Sequence, residues 1–230
     1  MIIQNPWLDL PLTPPYVLPA DLQAVTGFNN KYGKNPRVVL QLESLPEPFI
    51  GDITNAKVLL LVANPGHCDY DTSAHREEIF RNPILANLRQ ERRDYPFYPL
   101  DPALKKSPAS YYWLQRLKYL LSARDPKKVA QKLCVVEWHG YHSYNFHGIS
   151  WIKRNPIPSQ AFTFAMVKKA LADKNRLVVV MRNKGEWEAA VGDLSQCAFH
   201  GNPRNSTITP ANTKSPAFER ILAALSSQES

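Results

Sequence analysis

The sequence predicts an α/β fold of three layers, with helices on both faces of a central four-stranded, mainly parallel sheet. From residue 57 onward, short runs of aliphatic and β-branched residues alternate with longer segments of helical periodicity, which is typical of βαβ units. The 230 residues are 44% hydrophobic and 21% charged, the composition of a folded globular chain rather than of a disordered or fibrous one.

Four segments are expected to form the strands of this sheet. Each is a short apolar run bounded by polar or turn-forming residues. The strands are expected at Lys57 to Val62, Leu133 to Glu137, Leu177 to Met181 and Gln196 to Phe199. A separate short strand is expected at Arg37 to Leu42.

The helices are expected between these strands, and capping residues mark where several begin. Ser107 followed by Pro108 provides an N-cap and a proline at the first helical position. The segment from Ala74 to Arg93 has helical periodicity, and Asn82-Pro83 is expected to break it. Further helices are expected at Ala20 to Val25, after Ser159, at Glu186 to Val191 and at Pro216 to Leu225.

Residues 1–50 are predicted to form an irregular arm, because they contain eight of the 20 prolines and proline removes a backbone donor. Apolar residues of the arm, such as Trp7 and Tyr16, indicate that it packs on the rest of the chain. Residues 51–230 are expected to form a single α/β domain.

Charge is distributed unevenly along the chain. Residues 1–115 hold 11 Lys and Arg against 12 Asp and Glu, whereas residues 116–230 hold 17 against 8. An excess of +9 in the second half favours a polyanionic partner, and the alternative is a merely solubilising surface. No apolar run is long enough to span a membrane and no signal peptide is recognised, so we expect a cytoplasmic protein. We also expect it to be a monomer.

The loops that follow the four strands carry the candidate chemistry, because parallel strands place those loops along one edge of the sheet. Asn64 follows the first strand, and its carbonyl can accept a hydrogen bond from water and orient it. His200 follows the fourth strand and can donate to a developing anion. Arg204, nearby, has the guanidinium that suits phosphate.

Two of these loops resemble motifs of the uracil-DNA glycosylase superfamily. Val62 to Gly66 (VANPG) resembles its first motif, G-M-N-P-G or G-I-N-P-G. His200 to Asn205 (HGNPRN) resembles the second motif, H-P-S-P-R-N, of the single-strand-selective monofunctional branch. The similarity covers roughly residues 45–225 in topology, and identity is confined to about ten positions.

The resemblance implies hydrolysis of the N-glycosidic bond of a damaged or modified base that is flipped out of DNA. Asn64 then corresponds to the residue that positions the hydrolytic water, and His200 to the residue that supports negative charge on the departing base. Asn202, Arg204 and Asn205 are expected to act as wedge and phosphate clamp.

Further residues of the loops are expected to contact the base or the DNA. Gly66 leaves room beside the base. The family reads uracil with an asparagine after the second strand, whereas this chain has Glu137, whose carboxylate would accept from an exocyclic amine, as in a modified purine or cytosine. The other expected base contacts are His67, Tyr70 (stacking, with Phe80 as second choice), His139 and Tyr141, and the other DNA contacts are Arg182 and Lys184.

Two alternative functions remain open. The protein could be a catalytically silent relative that binds nucleic acid or a nucleotide, or an enzyme that uses the same crevice for a small molecule. A metal site could be read from His67, Cys68, Asp69, Cys134, His139, His142 and His147. These residues do not follow a fixed ligand spacing, so neither a metal nor a cofactor is predicted.

Overall fold

The structure is a computed structural model, and it describes residues 4–202, 205–213 and 216–226, apart from the side chain of Ile149. The strands are β1 (Phe49–Ile50), β2 (Val58–Val62), β3 (Leu133–Glu137), β4 (Leu177–Val180) and β5 (Ala198–Phe199). The α-helices are α1 (Leu22–Tyr32), α2 (Asp71–Ala74), α3 (Glu78–Leu88), α4 (Pro108–Ala123), α5 (Pro126–Lys132), α6 (Ile149–Arg154), α7 (Gln160–Ala172), α8 (Lys184–Val191) and α9 (Ala217–Ser226). Short 3-10 helices lie at Pro6–Asp9, Pro19–Asp21, Tyr98–Leu100 and Pro102–Leu104.

Strand β2 lies at the centre of the sheet, whose order is β1-β3-β2-β4-β5. It pairs in parallel with β3 and with β4, so Leu60 lies opposite Val135 on one side and Val179 on the other. Every residue of β2 is buried, as expected for a strand with neighbours on both sides. The predicted α/β class is confirmed, and the boundaries predicted for β3 are those observed.

The expectation of a four-stranded, mainly parallel sheet is wrong, because the sheet has five strands and is mixed. The additional strand, β1, runs antiparallel to β3 and has only two residues. Such a short strand leaves no alternation of polar and apolar residues to detect, and Pro46 and Pro48 directly before it suggest an irregular segment.

Arg37 to Leu42 does not form the predicted strand either. The Leu40 N–H donates to Asn29 Oδ1, and Asn29 Nδ2 donates back to the Leu40 carbonyl. A side-chain amide therefore satisfies the backbone groups that a neighbouring strand would otherwise pair.

Helix α3 continues through Pro83, where a break was predicted. Proline in a helix interior removes one backbone hydrogen bond and costs about 3 kcal/mol or more. Phe80, Ile84, Leu85 and Leu88 of this helix are all buried, and burial of each such side chain contributes about 1.5–3 kcal/mol. Packing thus outweighs the local preference of the sequence.

Ser107 caps helix α4 as predicted, since its Oγ accepts a hydrogen bond from the Ser110 N–H at 3.1 Å. Ser159 precedes α7, but its side chain makes no capping bond. Its N–H donates instead to Asp21 Oδ1 at 2.9 Å, which links α7 to the N-terminal arm.

A buried polar network fixes the N-terminal arm to the residues that follow β3. Tyr141 Oη accepts from the Leu18 N–H at 3.2 Å and donates to Asp21 Oδ2 at 2.7 Å. Burial and the neighbouring Asp21 carboxylate raise the pKa of Tyr141, which keeps the hydroxyl protonated and able to donate. Trp7 packs its ring against Tyr141 with a centroid distance of 6.0 Å.

The outer edge of β1 is covered by the side chain of Asn87 from helix α3. Asn87 Oδ1 accepts from the Gly51 N–H at 2.8 Å, and its Nδ2 donates to the Phe49 carbonyl at 2.7 Å. The buried carboxamide therefore satisfies the two backbone groups that a further strand would use.

Helices α5, α7 and α9 pack on the strands, and α8 packs on α7. Among the described residues, no helix combines the length and the apolar character that crossing a bilayer requires.

Replacing Tyr141 by Phe should lower the free energy of unfolding by about 1–3 kcal/mol, because Asp21 Oδ2 and the Leu18 N–H lose a buried partner. Urea denaturation followed by circular dichroism measures this loss. Tyr111→Phe is the matched control, since Tyr111 is exposed and should tolerate the change. Equal denaturation midpoints for the two variants would contradict the role assigned to Tyr141.

Candidate functional site

The loops after β2, β3, β4 and β5 lie along one edge of the sheet, as the parallel pairing requires. Backbone hydrogen bonds continue beyond the strands and hold these loops together. The His139 N–H donates to the Ala63 carbonyl at 3.0 Å, and the His200 N–H donates to the Val180 carbonyl at 3.0 Å. Asn64 and His200, predicted to share one crevice, are therefore on the same edge, separated by the end of β4.

The side chain of Asn64 is held in one orientation. Its Nδ2 donates to the Pro65 carbonyl at 2.9 Å and to Ser143 Oγ at 3.0 Å. A carbonyl can only accept, and the Ser143 hydroxyl proton is already directed at the Asn145 carbonyl, so the nitrogen of the carboxamide must face these groups. Oδ1 has no hydrogen-bond partner among the described residues, which leaves it able to accept from water.

Buried polar atoms without a hydrogen-bond partner are concentrated at this edge of the sheet. Because such atoms cost about 1–3 kcal/mol each, a group of them calls for an explanation such as bound water, an ion or a catalytic role. In the described part of the chain, the atoms at this edge are Glu47 Oε1, His67 Nδ1, Glu137 Oε2, His139 Nε2, His142 Nε2 and Arg182 Nε.

Glu137 is the last residue of β3 and lies opposite Val62 of β2. Val62 precedes Asn64 by two residues. Burial raises the pKa of Glu137 well above its ordinary value, the nearby Glu47 carboxylate raises it further, and Arg182 offsets only part of this effect. The neutral acid is therefore favoured, and it offers both a hydroxyl donor and a carbonyl acceptor. Burial also lowers the pKa of His139 to about 4, so this imidazole is neutral at pH 7.

His142 belongs to the loop after β3 and contacts the loop after β2. Its Nδ1 donates to the Gly66 carbonyl at 2.6 Å, and its Nε2 lies 3.1 Å from Glu47 Oε2. Burial acts to lower the pKa of His142, but the adjacent Glu47 carboxylate outweighs burial and the pKa is raised. His67 also lies here, 3.7 Å from Asp71, and burial together with the charge of His142 lowers the pKa of His67.

His200 has both ring nitrogens engaged within its own loop. Nδ1 accepts from the Asn202 N–H at 3.2 Å, and Nε2 lies 3.1 Å from the Thr207 carbonyl. The neutral tautomer with its proton on Nε2 satisfies both contacts. To donate to a departing base, His200 would have to release Thr207.

The other residues expected to contact the base are dispersed. Gly66 is exposed, and Tyr70 is 48% exposed with its hydroxyl 3.5 Å from Glu77 Oε1. Phe80 lines a small apolar cavity with His75, away from Asn64. Tyr141 belongs to the network that holds the arm, so its hydroxyl is occupied.

Only some of the residues expected to contact DNA lie at the surface. Lys184 is exposed and lies 3.8 Å from Glu188 in the first turn of α8, and Asn202 and Asn205 are exposed in the loop after β5. Arg182 is half-buried beside Glu137 rather than on the surface. Arg204 lies outside the described residues.

The candidate metal ligands named from the sequence do not all lie together in the structure. Cys134 is buried inside β3, and His147 is exposed with its ring against Tyr32. His67 and His142 do approach each other, with ring centroids 6.0 Å apart.

Several residues of the site were missed by the sequence analysis. Ser143 orients Asn64, and its position directly after His142 gave no sign of this contact. Glu47 lies between two prolines in the arm, where no pattern indicates a buried carboxylate. Asp71 follows His67 by four residues, a spacing that could have indicated a pair.

Comparisons of the chain with protein-family models, with curated proteins and with solved structures give no match. The function must therefore be inferred from the site itself.

Gly66→Ala should leave the free energy of unfolding within about 0.5 kcal/mol, because a Cβ at this position meets no atom within 4 Å. Gly51→Ala is the matched contrast. Gly51 has φ +111° and a Cβ there would clash with the Leu133 carbonyl oxygen, so we expect a loss of more than about 1 kcal/mol. Thermal unfolding of both variants measures the difference, and a similar loss for both would show that the space beside Gly66 is filled.

Proposed function

We propose that the protein hydrolyses the N-glycosidic bond of a modified base that is flipped out of DNA. The observation that carries this proposal is the fixed carboxamide of Asn64 at the carboxyl end of the central strand, whose Oδ1 has no hydrogen-bond partner in the part of the chain that the structure describes. The resemblance of the segments at Asn64 and His200 to glycosylase motifs supports the same function.

The fold supports this placement of a ligand site. The chain moves from β2 to β3 on one side of the sheet and later from β4 to β5 on the other, so the strand order reverses at β2. Ligands of open α/β sheets bind at such a switch point, outside the carboxyl ends of the strands. Right-handed crossovers would place α3 to α5 on one face and α7 and α8 on the other, giving the three-layer architecture of a uracil-DNA glycosylase-like fold.

Asn64 would act on the attacking water. Its Oδ1 accepts a hydrogen bond from that water and holds the oxygen in line with C1′ of the sugar. The C1′–N bond breaks, the base leaves with the electron pair, and the water oxygen bonds to C1′ while its proton passes to solvent. An amide is a weak base, which suffices when the leaving group departs before the water attacks.

Glu137 would recognise the base through hydrogen bonds. In its neutral form the carboxyl group can donate to a ring nitrogen or carbonyl and accept from an exocyclic amine, and its Oε2 has no partner among the described residues. The open space at Gly66 accommodates a larger ring. Together these features favour a modified purine or cytosine as the substrate.

DNA would reach the site over the loops after β4 and β5. Lys184, Asn202 and Asn205 are exposed there, and the second half of the chain carries the excess positive charge. We propose that a monomer in the cytoplasm binds single- or double-stranded DNA on this face.

A catalytically silent DNA-binding protein of the same fold is the second candidate. It is favoured by His200, whose two ring nitrogens are engaged by Asn202 and Thr207 and so contribute no donor for a departing base.

The wild-type protein should release a free base from at least one oligonucleotide in a panel of modified bases, with mass spectrometry of the supernatant as the readout. Asn64→Ala should lower the rate by about 10²–10³-fold, because the water loses its orienting acceptor. Ser143→Ala, which removes one contact of the Asn64 amide, should give a smaller loss.

Asn55→Ala is the matched control, since Asn55 is exposed and, among the described residues, bonds only Asp52 at the opposite edge of the sheet. It should keep the wild-type rate. Salt-dependent DNA binding with no base released from any substrate would support the silent alternative, and an unchanged rate in Asn64→Ala would remove Asn64 from the mechanism.

A further inference from the structure

Four side chains form a buried group beside the loops after β2 and β3, which we call the His142 cluster: Glu47, His67, Asp71 and His142. Two sets of potential ligand atoms occur here, one from His67, Asp71 and His142 and one that joins His142 to Glu47 and His75. Within each set the ligand atoms lie within 4.8 Å of one another. The sets share His142, so its chemistry decides what the cluster can bind.

The hydrogen bond on Nδ1 fixes the tautomer of His142. A carbonyl only accepts, so Nδ1 carries a proton toward Gly66 and the lone pair of the neutral ring is on Nε2. That lone pair faces Glu47 Oε2 at 3.1 Å, and the two atoms are not aligned as a hydrogen bond. This contact can be satisfied by a second proton on Nε2, which the Glu47 carboxylate favours, or by a metal ion that uses the Nε2 lone pair. A histidine that ligates a metal commonly donates its other N–H to a backbone carbonyl, as His142 does.

His67 and Asp71 supply the other side of the cluster. The His67 side chain is only 3% exposed, and its Nδ1 has no hydrogen-bond partner among the described residues. Nδ1 lies 3.7 Å from Asp71 Oδ2, and the Cys68 N–H holds that oxygen in place at 2.6 Å. The 3.7 Å between these two atoms is close to the roughly 3.3–3.6 Å that separates two donors on one tetrahedral ion with bonds of about 2.0–2.2 Å.

His75 does not belong to the ligand set. Its Nδ1 accepts from the Leu45 N–H at 3.0 Å, so the neutral ring carries its proton on Nε2 and neither nitrogen has a free lone pair. Ligation by His75 would require loss of that proton or of the Leu45 contact.

The charge of the cluster also calls for a cation. Glu47 and Asp71 are both buried, and neither forms an ion pair with a Lys or Arg within residues 4–202, 205–213 and 216–226. Buried carboxylates are costly unless they are paired or bound to a metal. A divalent ion would neutralise both at once.

We propose that His67, Asp71 and His142 bind one divalent transition-metal ion, for which Zn²⁺ is the best match. Two imidazole nitrogens and one carboxylate oxygen are ligands that Zn²⁺ accepts, and a water molecule would complete the tetrahedral geometry. The ion would join the loop after β2 to the loop after β3, next to Asn64 and Ser143. This site stands whether or not the protein releases bases, because its assignment uses none of the proposed catalytic chemistry.

The test is titration of the full chain, stripped with a chelator, with Zn²⁺ by calorimetry and with Co²⁺ by visible absorption. We expect one ion per chain and Co²⁺ bands of a four-coordinate site. His67→Gln removes the Nδ1 ligand, and Asp71→Asn keeps an acceptor for the Cys68 N–H while it removes the charge. Each variant should weaken binding by at least about tenfold.

Two histidine variants serve as controls. His147→Gln removes an exposed histidine, and His75→Asn keeps an acceptor for the Leu45 N–H. Both should bind Zn²⁺ as the wild type does, and thermal unfolding of the stripped proteins verifies that every variant is folded.

A wild-type Kd above about 100 μM, or a stoichiometry other than one ion per chain, would overturn the proposal. So would loss of binding in His75→Asn with binding retained in His67→Gln, because that result assigns the ion to the other set of ligands. Base release is measured separately, so failure of the glycosylase proposal leaves this result unaffected.

Discussion

Strand β2 is hydrogen-bonded in parallel to β3 on one side and to β4 on the other, and the arrangement of the site depends on this pairing. Parallel pairing aligns the carboxyl ends of the strands, so the loops that carry Asn64, His139 and Arg182 must leave the sheet at the same edge. The strand itself is fully buried and apolar. The strand ends are therefore where polar chemistry can be concentrated, and six of the nine unpartnered buried polar atoms of the described residues are found there.

These polar atoms are costly for the fold, and their position explains why they are tolerated. Glu137 and His139 are buried at the end of β3 and are both favoured in their neutral forms, which reduces the electrostatic cost of removing them from water. Glu47 and His142 instead face each other at 3.1 Å. The first pair presents hydrogen-bonding groups to the crevice, and the second pair lies beside the proposed metal ligands His67 and Asp71. The two groups lie side by side, yet they suit different ligands.

The sequence predicted those parts of the structure that local patterns determine. The apolar run Leu133–Glu137 has the observed boundaries of β3, and Ser107 caps α4 as its position before Pro108 indicates. The two residues of β1 are too few to form a pattern, and Pro83 lies inside α3 because packing outweighs propensity. In the site, Asn64 and Glu137 could be placed at strand ends, whereas the contact of Ser143 with Asn64 joins residues 79 positions apart. Sequence periodicity carries no information about such a contact.

The carboxamide of Asn87 has a consequence for how copies of this chain can associate. An uncovered outer strand invites another chain to extend the sheet, and proteins block such strands by short length or by covering side chains. Here β1 has two residues and Asn87 occupies its outward-facing backbone groups, so a neighbouring molecule cannot add a strand on that side. Growth of the sheet into a continuous ribbon of subunits needs two open sides, and this molecule closes one of them.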